Sequence, residues 1–402
     1  MTSAKKNLFE YSCYWLTILL PLSIACGRGV ADTTLSLSAI SFAIYLITQK
    51  NINPLKEKWF LIALALWVYL LVRSVFSEHI LLALKKSIPF LRLPLFALCV
   101  QYLATTHKDL NKNLYTSLLI AVCFLTIDGY IQFIFGKEVL GRSLWDDGKF
   151  YRLTGPFSKP VLGATISILS MPILAVALKH VTERKHALIF LLLSAAIFII
   201  VFISGERSAL IQMILGILLI SIVSIKNKKA ILYTALAGIA VLVAMYSFKF
   251  DKVINRQIFS IFEILQNYSD SPYGKLWNSG IEIGLNNIIF GVGPMHFESH
   301  CEAISDLCKY HPHNIYIEFF AETGIVGLSL VVLLFYTIIK DSIAAYRTQI
   351  GMTKFLILGT LTSVMIKLLP VPSSGFFKNW FAIPLWLMIA WLLSLNKNNE
   401  SK

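Results

Sequence analysis

Residues 311–339 read HPHNIYIEFFAETGIVGLSLVVLLFYTII. From Ile315 onward the run is apolar and long enough to cross a bilayer as a helix, which takes about 20 such residues. Its entry is polar. Pro312 and Asn314 are helix-start residues, so His313 is expected in the first turn, at the membrane–water boundary. Working outward, twelve stretches of this kind occur, near 9–26, 33–49, 58–76, 88–104, 114–135, 160–178, 186–203, 208–225, 230–248, 315–339, 354–370 and 379–395. Arg92 and Pro94 make the fourth the weakest.

Composition agrees. Of 402 residues, 56% are hydrophobic and 14% charged, against roughly 45–50% and ~25% in soluble domains. A soluble globular enzyme and a disordered chain are both excluded. A transmembrane barrel is excluded too, because the apolar runs are continuous rather than alternating. Lys and Arg number 36 against 22 Asp and Glu, a formal +14, which points to anionic lipid or phosphate. No basic run stands apart from hydrophobic sequence, so nucleic acid is not an expected partner. The expected fold is one all-α polytopic membrane domain over 1–402, with about 12 transmembrane helices.

Orientation follows from the basic residues of short loops. Segments 5–6, 50–58, 108–112, 179–185, 226–229, 340–354 and 397–402 each carry at least two Lys or Arg, which puts both termini in the cytoplasm. Two longer loops then lie outside, 136–159 and 249–314, the second between the ninth and tenth spans. Lys5 and Lys6 ahead of an apolar core imitate a signal peptide, but no A-x-A site follows, so the segment is expected to stay as a span. No internal repeat is visible and the halves do not match, which weighs against a two-half transporter.

The outer segments hold the candidate chemistry. The amino end of a helix attracts phosphate and favours a neutral histidine, the form that accepts a proton from a hydroxyl. His311 and His313 sit there. Glu318 and Glu322 lie four apart on one helix face with Asn314; carboxylates in a span need a partner or a function, and these either serve the site or bond neighbouring helices. Arg207, in the turn 204–208, either grips a phosphate oxygen pair with its planar fork or snorkels and pairs with Glu206. Arg152 and Lys159 flank a turn before the sixth span, placed either for a lipid-linked diphosphate or for interfacial anchoring. Asp128 and Lys367 are read as structural polar contacts. Cys301 and Cys308, seven apart in the outer loop, are expected to form a disulfide that stiffens the chain before His311, with two free thiols as the alternative; Cys13, Cys26, Cys99 and Cys123 are read as inert. No CxxC or HExxH spacing calls for a metal. Gly291-Val292-Gly293 lacks a preceding strand, so it is read as a turn between an outer helix and the catalytic loop.

Taken together, the Arg207 turn, the Trp277 to Gly293 segment, the paired cysteines and the run from His311 to Gly327 resemble the O-antigen ligase and polymerase superfamily, over roughly residues 150–340. The resemblance implies a GT-C-type membrane fold and metal-independent, cofactor-free, inverting glycosyl transfer on the periplasmic side of the bacterial inner membrane. It implies an essential histidine at His313, which is expected to position or deprotonate the acceptor sugar hydroxyl, and on our own reading His311, Tyr316 and Glu318 orient it. It also implies diphosphate-binding arginines, one matching Arg207. The second family arginine, a few residues before Trp277, is replaced by Lys275, for which Arg256 or Arg152 is the alternative. The implied donor is a glycan on undecaprenyl diphosphate. The acceptor is lipid A-core in a ligase, or a second lipid-linked glycan in a polymerase. One dominant outer loop favours the ligase, while the spacing from Arg152 to Gly163 also fits a polymerase pattern. A polysaccharide transporter is the competing class.

Overall fold

The computed structural model describes residues 3–146, 148, 150–179, 184–223, 256–257, 264, 266–302 and 311–397. The helices are α1 Ser3–Cys26, α2 Arg28–Gln49, α3 Lys58–Val75, α4 Ile80–Phe90, α5 Arg92–Thr106, α6 Leu110–Phe135, α7 Leu162–Lys179, α8 Arg184–Ile203, α9 Arg207–Val223, α10 Pro272–Asn286, α11 Phe297–Glu302, α12 Ile315–Thr348, α13 Gly351–Lys367 and α14 Asn379–Lys397. Among the described residues, eight helical stretches are long and apolar enough to cross a membrane. The expected ninth span, 230–248, lies outside the described residues, as does much of the large loop that follows it.

The fourth stretch forms two helices rather than one, α4 and α5, joined at Leu91. Pro94 falls at the third position of α5, where a missing N–H removes no helix bond. Arg92 is tolerated because its guanidinium meets the Asp32 carboxylate of α2 at 2.8 Å and the side chain of Asn379 at 3.1 Å. The loop between α6 and α7 holds a two-residue antiparallel ribbon, β1 Trp145–Asp146 with β2 Tyr151–Arg152, too short to show alternation in the sequence.

Hydropathy does not say which spans are central, because lipid and protein interior are equally apolar; small residues do. α7 and α14 are almost wholly buried, and α13 packs against both. A Cβ on Gly359 of α13 would lie 2.4 Å from the Cα of Pro172 in α7, so only glycine permits that approach. Ser363 then donates to the Ile168 carbonyl at 2.6 Å.

α12 is broken inside its apolar, span-length stretch. Gly324 takes φ 64, ψ −166, and the peptide groups freed there must be satisfied inside the protein. The segment after α10 satisfies them. The amides of Val292 and Gly293 donate to the carbonyls of Ala321 and Glu322 at 3.0 and 2.8 Å, and the amide of Ile325 donates to Ile288 at 2.8 Å. Gly291-Val292-Gly293, expected as a plain turn, is thus one half of a repaired helix break, and Glu322-Thr323-Gly324 is the other. Arg73 of α3 fastens the junction by donating to the carbonyls of Phe290 and Gly291.

Candidate functional site

Just ahead of α12, Asn314 caps the helix with its side-chain oxygen, which accepts from the amides of Tyr316 and Ile317 at 3.0 and 3.3 Å. His313 precedes the cap instead of lying in the first turn, and its φ is 56. That left-handed backbone costs a non-glycine residue about 1 kcal/mol and turns the imidazole out of the helix register, towards the connection between α13 and α14. There the carbonyl of Ser373 lies 2.9 Å from Nδ1 of His313 and 3.3 Å from Nε2 of His311. The amide of Ser373 in turn donates to the carbonyl of His313 at 2.7 Å.

A carbonyl only accepts. His313 therefore carries its proton on Nδ1 and keeps a lone pair on Nε2, while His311 carries its proton on Nε2. The two rings stand 4.2 Å apart. Burial pushes both below the ordinary histidine range, His311 to about 4, with His313 and the Lys378 ammonium adding to the effect and Glu318 opposing it. Both imidazoles are neutral at physiological pH. Tyr273 of α10 places its ring edge-on to His313 at 5.7 Å; Lys275, two residues on, is exposed.

Glu318 and Tyr316 are both engaged by the protein itself. The hydroxyl of Tyr316 donates to the Leu368 carbonyl at 2.7 Å. One oxygen of Glu318 accepts from the Phe376 amide at 2.8 Å, and the other meets Lys86 of α4 at 3.0 Å. Lys86 also meets Glu322 at 2.6 Å. Sequence reasoning passed over Lys86, although two carboxylates on one face of a span demand a cation nearby. Beside this group a cavity of about 280 Å³ is lined by Lys85, Glu298, His311, Phe377 and Lys378 with the buried triad at its side.

A second group forms at the turn between α8 and α9. Gly205 (φ 75) lets the chain reverse, and Arg256 donates from Nε to its carbonyl at 2.8 Å while Gln257 donates to that of Phe202 at 2.6 Å. A Cβ on Gly205 would lie 3.3 Å from both Arg152 and Arg256. Arg152 and Arg256, far apart in sequence, thus meet at Gly205, two residues before Arg207, the first residue of α9. Glu206 does not turn to the surface. Its buried carboxylate accepts from the amides of Gly163 and Ala164 at 2.6 and 3.3 Å, capping α7. Burial pushes it up to about 7, against the pull of Arg152, those two amides and Lys367.

One stretch links the two groups. Lys367, at the end of α13, acts on Glu206 and lies 4.8 Å over the Phe381 ring. Leu368 holds Tyr316, Ser373 holds both imidazoles, Phe376 holds Glu318, and Trp380 packs on Phe157 of the loop between α6 and α7 at 5.1 Å. Pro370, Pro372 and Gly375 were the sequence's only sign of this connection. Asp128 accepts from the Val139 amide at 2.9 Å, a structural contact. Cys301 is buried and disulfide-bonded; Cys308 lies outside the described residues. Among the described residues no three His, Cys, Asp or Glu gather so as to hold a metal.

Residues 163–332 match the family model described as O-antigen ligase. The likeness to the O-antigen ligase superfamily holds over that stretch. Together with the eight helical stretches long and apolar enough to cross a membrane, this likeness points to a multi-pass membrane protein similar, over the matched stretch, to a group of membrane glycosyltransferase-like enzymes. No curated protein matches the chain. Among solved structures, a chain from "Structural coordination of polymerization and crosslinking by a peptidoglycan synthase complex" is similar at 14% identity and a TM-score of 0.49, covering 86% of this chain and 98% of that one.

Proposed function

We propose that this protein is an O-antigen ligase that transfers a glycan from undecaprenyl diphosphate to a sugar hydroxyl of lipid A-core, at the periplasmic face of the inner membrane, with inversion and without a metal. The supporting observation is the tie, through residues 367–380, between a neutral imidazole with a fixed tautomer and a cluster of arginines. Nε2 of His313 takes the proton of the acceptor hydroxyl. The hydroxyl oxygen attacks the anomeric carbon, the bond from that carbon to the diphosphate oxygen breaks, and the electron pair leaves with the diphosphate. Arg207, Arg152 and Arg256 face the charge that develops on the leaving oxygen, with exposed Lys275 as a further cation. His311 flanks the acceptor, which enters by the cavity beside it. The lipid tail stays among the spans, so the donor never leaves the bilayer.

A polymerase is the second reading, and the position of Arg152 favours it: an arginine of the smaller outer loop joins the cluster, as expected where two outer loops share the site. The acceptor is then a second lipid-linked glycan. Purified protein in liposomes with lipid-linked donor and either acceptor tests both. A new glycosidic bond to lipid A-core supports the ligase, and lengthening of the lipid-linked glycan supports the polymerase. Movement of donor across the bilayer with no new bond would make the protein a transporter. His313→Ala is expected to abolish transfer while leaving the protein folded; undiminished transfer removes the imidazole from the chemistry.

A further inference from the structure

We infer that Lys86 is a positioning residue for the imidazole pair, acting through Glu318 and the connection between α13 and α14 without touching substrate. The inference rests on the transferase reading only for its kinetic consequence. The ammonium is buried, with 5% of its side chain exposed, between Glu318 at 3.0 Å and Glu322 at 2.6 Å, and it lies 4.4 Å from the centroid of the Phe377 ring. Glu318 is thereby divided. One oxygen is held by α4, leaving the other to accept the Phe376 amide at 2.8 Å. Three residues earlier, the Ser373 carbonyl fixes both histidine protons. Lys86, Glu318 and the Phe376 amide are joined by polar contacts, the short backbone from Phe376 back to Ser373 carries the restraint onward, and the Ser373 carbonyl decides which nitrogen of His313 is free to act as a base.

Lys86 also insulates the imidazoles. Glu318 opposes the neutral form of both histidines. A buried carboxylate without its ammonium would seek another proton or cation, and the histidines, which Glu318 already draws towards the charged form, are groups able to supply one. A single Lys–Glu pair would satisfy helix packing; the second carboxylate, Glu322, one turn further along the same face of α12, holds the ammonium at 2.6 Å.

Two variants test this. Lys86→Arg keeps the charge and is expected to retain most activity. The triple variant Lys86→Met, Glu318→Gln, Glu322→Gln is neutral and close in volume, so it leaves no unpaired buried charge and its insertion is checked by thermal unfolding. In the triple variant we expect kcat to fall by about 100-fold, as loss of a near-attack geometry does, with donor and acceptor KM unchanged. We also expect the acid limb of the rate to move to lower pH, because the carboxylate that favours the charged imidazole is gone. Independently of activity, ¹⁵N spectra of histidine-labelled protein should show His313 as a single Nδ1–H tautomer in the wild type and as a mixture in the triple variant. An unchanged tautomer, or wild-type kcat, in the folded triple variant overturns the inference. Altered tautomers in a protein whose wild type forms no glycosidic bond overturn the transferase reading and leave Lys86 in its positioning role.

Discussion

The carbonyl of Ser373 accepts the Nδ1 proton of His313 at 2.9 Å, across 60 residues of sequence. That bond fixes the tautomer before any substrate arrives and leaves the Nε2 lone pair free, while burial, not the bond, keeps His313 neutral.

The pH profile of transfer should reflect it. Burial lowers both histidines, His311 to about 4, so the rate should be flat above pH 6.5 and fall only at lower pH. Stability follows the same sign. The folded-state value of His311 lies below its value of 6.5 in the unfolded chain, so unfolding takes up a proton between the two. The contribution is present above pH 6.5 and lost as pH falls towards 4. Rate measurements from pH 4 to 8 in liposomes check the first point; an acid limb centred at or above pH 6.5 contradicts it.

Glu206 should act in the opposite sense. Its value is raised from 4.5 to about 7, so its contribution is complete below pH 4.5 and is lost as pH rises through 7. The shift corresponds to at most about 3 kcal/mol. Against Glu206→Gln, whose side-chain oxygen still accepts from Gly163 and which keeps the opposite slope from His311, the wild-type unfolding midpoint should therefore fall as pH rises from 5 to 7. Identical slopes in the two proteins would remove Glu206 as the cause.

Gly324 and Gly351 provide an internal comparison. Both have positive φ, but Gly324 combines it with ψ −166, a region open essentially to glycine alone. A Cβ there would meet the Ile289 carbonyl oxygen at 2.3 Å, whereas nothing lies within 4 Å of one on Gly351. Gly324→Ala should cost about 3 kcal/mol and Gly351→Ala about 1 kcal/mol, read by unfolding in detergent. Equal costs would mean that the break in α12 is not held by the 287–293 segment.

Much of this arrangement is legible in the sequence. Continuous apolar runs place the helices, and Asn314 marks where α12 begins. His311, His313 and Arg207 stand out because polar groups at a membrane boundary need a reason to be there. What pairing brings together is not legible. Nothing in the order of residues ties Lys86 to Glu318 across 232 positions, or shows that the 367–380 stretch binds the imidazoles to the Gly205 turn. Glu206, adjacent to Arg207, could as well have paired with it; only the fold shows it capping α7. The break at Gly324 was hidden for a related reason: hydropathy runs on through a glycine, and the backbone that repairs the gap comes from a segment some thirty residues earlier.

The arginine cluster yields the last prediction. Arg256 uses Nε to hold the Gly205 carbonyl and lies 5.1 Å from the Phe150 ring, and Arg152 reaches the same turn from the loop between α6 and α7. A lysine keeps the charge at either position and loses the planar fork that grips two oxygens at once. If these side chains receive a diphosphate, Arg256→Lys and Arg207→Lys should each raise the KM for the lipid-linked donor and lower kcat/KM by about 10-fold, a loss of ~1.4 kcal/mol, while the acceptor KM stays constant. Substrate titrations in liposomes, varying donor and acceptor separately, make the distinction. An unchanged donor KM with a raised acceptor KM would move the cluster to the acceptor side of the reaction; no change in either would leave it a clamp on the turn between α8 and α9.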